Sequence, residues 1–347
     1  MNYLKLITHI GLFVFLFPIK AFTVLKHVDF SFDITVKHDT ALHSRYLDRS
    51  IVLDIVLPPG YAGSMGSYKV LYMNDGQDLD RLRMLEVLEK IYRDPRVEPF
   101  VLVAVHCGER IQEYGIAAQP DYKQRGAKAG SYTAFVLKEL MPYIQKNFRV
   151  AEGAQNTVFC GFSLGGLSAF DIVWHYPELF GKAGVFSGSF WWRQKAYENH
   201  YDDHNDRIMH RLVRESTVYG LQFTVNSSQS ADAQSADAQS ADAQSAVEDS
   251  SPTVNHKPQP SNPKSPIVNS PKFWLQTGTE DEKDDRNHNG VIDSIEDTLD
   301  LIAELEKKGF RWGSDVRYVE VKGGHHDQET WSAIMPDFLT WAFGKTQ

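Results

Sequence analysis

Hydrophobic positions along the chain fall into two kinds of run. Apolar and polar residues alternate over Val28–Val36 and Ile51–Leu57, which predicts two antiparallel strands with one face buried, the second ended by Pro58-Pro59-Gly60. Lys69–Met73, Phe100–Val105, Thr157–Cys160 and Ala183–Phe186 are short apolar runs bounded by turns. Central parallel strands covered on both faces have that look. Lys272–Gln276 and Val316–Val321 add two later strands. Helical periods lie between most of them. In Tyr132–Phe148, residues Phe135, Leu137, Leu140, Ile144 and Phe148 recur mostly at three- and four-residue steps. Gly165–His175, ended by Tyr176-Pro177, reads as a second helix, and Ile295–Lys308 and Gln328–Phe343 as two more. The alternation predicts one α/β domain, a mostly parallel central sheet with helices on both faces.

Two segments break this pattern. Between Asn226 and Pro271 apolar residues almost vanish, and the unit Ser-Ala-Asp-Ala-Gln repeats three times from Ser230 to Gln244. Such a stretch buries too little surface to offset its ordering entropy, so 226–271 is expected to be a disordered insertion in the domain. At the start, Lys5 precedes an apolar run from Leu6 to Phe17, then Pro18-Ile19-Lys20-Ala21. A basic start, a short apolar centre and a small exit residue describe a cleavable signal peptide, 1–21, leaving 22–347 as the domain. The run is short for a bilayer span. The expectation is export to the periplasm or medium, with no stable membrane insertion after cleavage.

The 347 residues, 42% hydrophobic, suffice for a large core. A net charge of −9 and the absence of basic clusters exclude nucleic acid as a partner. The two cysteines, Cys107 and Cys160, end or lie in different central strands. In the usual doubly wound order another strand separates them by two spacings, roughly 9–10 Å, beyond disulfide reach. Two buried free thiols are expected.

Candidate chemistry begins at Gly161-Phe162-Ser163-Leu164-Gly165-Gly166, directly after an apolar strand and directly before a helix. Gly-x-Ser-x-Gly in that setting is a nucleophile elbow: the tight turn exposes the Ser163 hydroxyl at the top of the sheet, and the Leu164 N–H points where an oxyanion would form. A glycine-rich turn without chemistry is the bland alternative, and the helix–strand–elbow–helix context argues against it. Such a serine needs a histidine base and an acid to orient it, following in the order acid, then histidine, on loops after later strands. Gly323-Gly324-His325-His326-Asp327 follows Val321, so two of the chain's 13 histidines compete. Thr277-Gly278-Thr279-Glu280-Asp281-Glu282 follows Gln276, and any of its three carboxylates would serve.

The chain resembles the esterase D-type α/β-hydrolases, which include siderophore esterases, feruloyl esterases and mycolyltransferases. The resemblance runs from about Arg49 to Phe343, apart from the insertion. It is carried by Leu57-Pro58-Pro59-Gly60-Tyr61, Tyr72-Met73-Asn74-Asp75-Gly76-Gln77, the elbow, Phe186-Ser187-Gly188-Ser189, Gly278-Thr279-Glu280-Asp281, and Gly324-His325-His326 with Trp331. It implies an α/β-hydrolase fold. The family's histidine five residues before a tryptophan corresponds to His326, and its acid in the fourth position of the turn to Asp281. The resemblance also implies that the Gln77 N–H completes an oxyanion hole with Leu164. The implied activity is a serine esterase working through an acyl-enzyme, on a small-molecule or saccharide ester. An acyltransferase using the same triad with a sugar or alcohol acceptor is the alternative, and a non-catalytic binding protein a third reading. No cofactor is expected for catalysis.

Asp285–Glu296 matches the EF-hand calcium loop, with oxygen side chains at Asp285, Asn287, Asn289, Asp293 and Glu296, the Val291 carbonyl, and Gly290 at the sharp turn. No entering helix precedes it, and Asp293 with Glu296 would also form a metal-free capping box. A structural Ca2+ bracing the acid-bearing loop is the expectation. Glu113 and Tyr114, in the segment after Phe100–Val105, and Trp191 and Trp192, after Ala183–Phe186, are candidate substrate-binding residues, because crevices in open α/β sheets form at the carboxyl ends of strands. Core packing is the competing role for at least one tryptophan.

Overall fold

A computed structural model describes residues 33–216 and 270–345. The expected signal peptide, and all of the expected insertion except Ser270 and Pro271, lie outside the described residues. In chain order the strands are β1 Thr35–Asp39, β2 His43–Ser44, β3 Arg49–Ser50, β4 Leu53–Leu57, β5 Lys69–Asn74, β6 Phe100–Val105, β7 Thr157–Phe162, β8 Lys182–Phe186, β9 Lys272–Glu280 and β10 Val316–His325. The helices are α1 Met84–Arg93, α2 Arg110–Glu113, α3 Ala129–Phe135, α4 Met141–Asn147, α5 Leu164–His175, α6 Asp203–Asp206, α7 Ile208–Glu215, α8 Asp293–Lys307 and α9 Gln328–Phe343.

Eight strands form one sheet in the order β1-β4-β6-β5-β7-β8-β9-β10, and β2 pairs β3 in a separate ribbon. Only β4 opposes the others, since its pairings with β1 and β6 are antiparallel and the remaining pairings are parallel. Alternate strand residues feed two cores. Val70 and Tyr72 join Phe135, Ile144, Phe170 and Leu301 on the face of α3, α4, α5 and α8. Leu71 and Met73 join Leu88, Met335 and Phe338 on the face of α1 and α9. This two-sided burial is why the central strands read as unbroken apolar runs. From β5 the chain crosses to β6 on one side and later returns to β7 on the other. The loops leaving β5 and β7 therefore diverge, which opens the crevice of an α/β switch point.

Four sequence expectations are adjusted. β1 starts at Thr35, and none of its residues is buried, because it is the outermost strand with β4 as its one neighbour. β9 and β10 outrun their apolar cores to Glu280 and His325, because backbone pairing continues through polar residues, with an irregularity between Val321 and His325. The 132–148 helix starts at Ala129, and its centre, Val136–Leu140, winds as a π-helix between α3 and α4. Pro142 follows at once and has no N–H for the bond one turn back, so the defect and the widened turn sit together. Cys107 and Cys160 are both free, on either side of β5, as expected. Cys107 is half-buried rather than buried, because it lies past the end of β6.

Candidate active site

Ser163 joins β7 to α5 with φ 54° and ψ −120°, a strained conformation for a residue with a side chain. Its N–H donates to the Phe186 carbonyl at 2.9 Å, which ties the turn to the end of β8. The glycines around it are required by space. A Cβ on Gly161 would lie 2.2 Å from the Gly165 carbonyl oxygen, and one on Gly165 would lie 2.7 Å from Asp75 Oδ2. Leu164 is the first residue of α5, so its N–H has no acceptor within the helix. The Ser163 hydroxyl lies 3.3 Å from that of Ser189.

The register of β9 and β10 places the competing acids and histidines in different surroundings. Glu280 pairs His325, so the next residues of the two strands, Asp281 and His326, leave the sheet side by side. His325 turns outward to Glu280, Nε2 to Oε2 3.5 Å, and both side chains are well exposed. Glu282 instead lies among Asp284, Asp293 and Asp297, and burial pushes its carboxyl up to about 7. Asp281 faces inward. Burial raises its pKa, opposed by the Gly278 backbone, the Ser187 hydroxyl and the charge of His326. Neither buried carboxylate oxygen has a hydrogen bond of good geometry. His326 is held below its ordinary pKa, chiefly by loss of solvent around the ring. Trp331 links the pieces. Its ring lies edge-on to His326 at 5.2 Å and packs on Phe162 at 5.1 Å, while its Nε1 donates to Ser187 Oγ at 2.9 Å.

Across the crevice, Asp75 holds a left-handed turn, φ 60°, at the end of β5. The Gln77 side chain is fully engaged: Nε2 donates to Asp75 Oδ1 at 3.0 Å, and Oε1 accepts the Cys107 N–H at 3.2 Å. Sequence reasoning missed Arg110, whose guanidinium grips Asp75 and also reaches the Phe162 carbonyl. An arginine in a loop after a central strand was the available signal. Ser187, Ser189 and Asn74 stand in sequence motifs that by themselves give them no role.

Three expected substrate residues are corrected. Glu113 is 2% exposed, and Tyr114 and Trp192 are 0% exposed. Glu113 accepts both Arg49 Nη2 at 2.8 Å and the Gly108 N–H at 3.0 Å, so it staples α2 in place rather than facing a ligand. Tyr114 accepts the Asp75 N–H on its hydroxyl at 3.0 Å. Trp192 fills the core beneath Gly115 and Gly126. Trp191 is half-buried, with the Arg125 guanidinium 4.6 Å from its ring centre, and stays a candidate wall.

The Asp285–Glu296 loop folds on itself in the manner of a cation loop. Asp285 accepts the N–H groups of Asn289 and Gly290, and Asn287 and Asn289 send their amides to Glu296 Oε1. Glu296 Oε2 is buried without a hydrogen bond, although Arg286 Nη2 is 3.5 Å away. That orphaned oxygen and the hard oxygen donors fit calcium. The fit has one cost. Asp293 is turned to the Arg286 backbone and guanidinium. Among the described residues no three His, Cys, Asp or Glu side chains form a metal cluster. Arg286 also binds Asp203 and Asp297, and Arg207, between α6 and α7, binds Asp297, so charge pairs tie this loop to α6 and α8. A cavity of about 1110 Å3 lies beside them, lined by Tyr197, Tyr201, Asp285 and His288 among others, away from Ser163.

The family described as "putative esterase" matches residues 44–342. The chain is 29% identical to the uncharacterized protein YbbA of Bacillus subtilis (strain 168) over 150 residues, 42% of this chain and 60% of that protein. The alignment thus spans less than two thirds of that relative. A ferulic acid esterase structure is similar with a TM-score of 0.58 at 17% identity, covering 90% of this chain and 98% of that one. The enterobactin esterase of Shigella flexneri follows at 0.56 and 17%, covering 89% of this chain and 59% of that one. At such identities the likeness speaks for the fold. Strained elbow, parallel sheet and family match agree: the chain belongs to the putative-esterase family and has the α/β-hydrolase fold.

Proposed function

We propose that the protein hydrolyses carboxylic esters through Ser163, His326 and Asp281. Ser163 attacks the acyl carbonyl, His326 takes its proton and returns it to the leaving alcohol, and Asp281 orients and stabilises the imidazolium. The Leu164 and Gln77 N–H groups take the oxyanion. Water then releases the acyl group from Ser163. The strained backbone of Ser163, with φ 54° and ψ −120°, carries this reading, since a side-chain-bearing residue is held there for a purpose other than packing. The Glu280–His325 register, which sends Asp281 and His326 out together, supports the choice of partners.

Catalysis calls on no metal. Calcium in the 285–296 loop is structural, held by Asp285, Asn287, Asn289, the Val291 carbonyl, Asp293 and Glu296, and it steadies the chain four residues beyond Asp281. The basic-then-apolar start of the chain supports export to the periplasm or medium. The name of one structural neighbour, a ferulic acid esterase, points to aromatic acyl groups, and Trp191 offers such a group a half-buried ring.

Hydrolysis of p-nitrophenyl acetate and methyl ferulate, with labelling by a fluorophosphonate, tests the reading. Ser163→Ala should lose labelling and about 10⁶ in kcat, and Asp281→Asn about 10⁴. Because His326 lies below its ordinary pKa of 6.5, it stays unprotonated to lower pH, and kcat/KM should hold until below 6.5 before falling. Undiminished labelling and turnover in Ser163→Ala would end the proposal.

A further inference from the structure

Asp75 presents an unusual demand. Its side chain is 2% exposed, it sits in a left-handed turn, and a buried carboxylate is costly without a partner. Arg110 answers from α2, the single turn that Glu113 staples through Arg49 and the Gly108 N–H. Arg110 Nε donates to Asp75 Oδ1 at 2.8 Å and Nη2 to Oδ2 at 3.0 Å, and the same Nη2 reaches the Phe162 carbonyl at 3.1 Å. Phe162 is the residue before Ser163. One guanidinium therefore bridges the turn after β5 and the last peptide of β7.

A second tie runs parallel to it. Asn74 Nδ2 donates to the Gly165 carbonyl at 2.8 Å, and Tyr132 steadies Asn74 through a 2.5 Å hydrogen bond to its Oδ1. Gln77 leans on the same Asp75 through its Nε2, so the orientation of its peptide depends on where Asp75 is held. The bare Cα of Gly165 lets the Asp75 carboxylate lie against the elbow.

We propose that Arg110 is a positioning residue that fastens the Asp75-Gly76-Gln77 turn to the nucleophile elbow, aiming the Gln77 and Leu164 N–H groups at one point. This rests on the reading of Ser163 as nucleophile and adds a residue that touches neither substrate nor reacting atoms. A planar fork is required, because two carboxylate oxygens and one carbonyl must be met from a single group, and an ammonium cannot reproduce that spread. Arg110 also acts on the base at a distance. The groups facing His326 are Asp281 and Asp327, which favour its protonation, and Arg110, which opposes it, besides the Trp331 ring edge. Loss of Arg110 therefore raises the pKa of His326.

The test compares wild type, Arg110→Lys, Arg110→Gln and the charge-neutral double variant Asp75→Asn/Arg110→Gln on p-nitrophenyl acetate across pH, with circular dichroism melts and fluorophosphonate labelling. Loss of an aligned oxyanion donor costs on the order of 10²-fold in kcat. A fall of that order is expected in Arg110→Gln, with KM within about twofold of wild type. The acid limb of kcat/KM should move to higher pH, and Arg110→Lys should not restore kcat. If the single variant fails to fold, the double variant, which leaves no buried lone charge, should fold and show the same loss. A folded variant with wild-type kcat and an unmoved acid limb would overturn the clamp. Full recovery in Arg110→Lys would do the same. Absence of labelling and turnover in wild type would instead overturn the Ser163 reading, and the clamp with it.

Discussion

At the scale of single residues, neighbouring carboxylates take different roles because their surroundings differ. Glu280 is exposed and paired with His325, Asp281 is turned to His326, and Glu282 is half-buried with one orphaned oxygen among other acids. For Glu282 this has a consequence for stability. Its carboxyl titrates near 4.5 in the unfolded chain and at about 7 in the fold. Between these values the folded state keeps a proton that the unfolded state has released, so stability declines as pH rises through that window. Glu282→Gln removes the penalty. In EDTA, its melting temperature should exceed that of wild type at pH 8 and match it at pH 4. An equal shift at both pH values would contradict this origin.

At the scale of elements, the pair β9–β10 and the loop leading into α8 carry Asp281 and His326, the proposed acid and base. α8 begins at Asp293, inside the candidate calcium loop, and its buried face packs Ile295, Leu301, Ile302 and Leu305 into the core. Steadying the loop therefore steadies a helix that is already docked. Ca2+ at about 100 times its Kd would add about 2.7 kcal/mol, or very roughly 2–4 °C per kcal/mol in a domain of this order of size. The expected result is a melting temperature several degrees higher in Ca2+ than in EDTA, with the difference gone in Glu296→Gln. Identical wild-type melts in the two buffers would remove calcium from the account. Metal-free, the charge pairs of Arg286 with Asp203 and Asp297 hold the same loop to α6 and α8.

At the scale of the whole molecule, the two thiols report on the sheet. Cys160 lies in β7 near the sheet's centre, fully buried, and burial raises its pKa. Cys107 is half-buried beside Gln77, and its thiol is pushed up to about 11, chiefly by loss of solvent. Both should react slowly with a disulfide reagent at pH 8 in the native protein. Cys160 should become reactive only along the global unfolding transition followed by tryptophan fluorescence. Rapid native labelling of Cys160 would mean that the central strands open locally.

What the chain alone determined is what contiguous residues can write. Apolar runs and periods marked the central strands and the helices α5, α8 and α9 to within a few residues but not α1, and the Gly-x-Ser-x-Gly spacing marked the elbow, because strand burial, helix faces and tight turns are local demands. The residue pattern left two histidines and three acids open, and family resemblance chose among them. Tertiary structure decided the rest. The register of β9 against β10 separates Asp281 and His326 from Glu280 and His325, and a one-residue slip would set Glu280 opposite His326 or Asp281 opposite His325. Likewise Glu113, Tyr114 and Trp192 looked available from their place after central strands, yet they are buried. Arg110 carried no motif, yet it joins two strand ends. Such contacts depend on strand order and on which loops diverge at β5 and β7, and no local spacing records that.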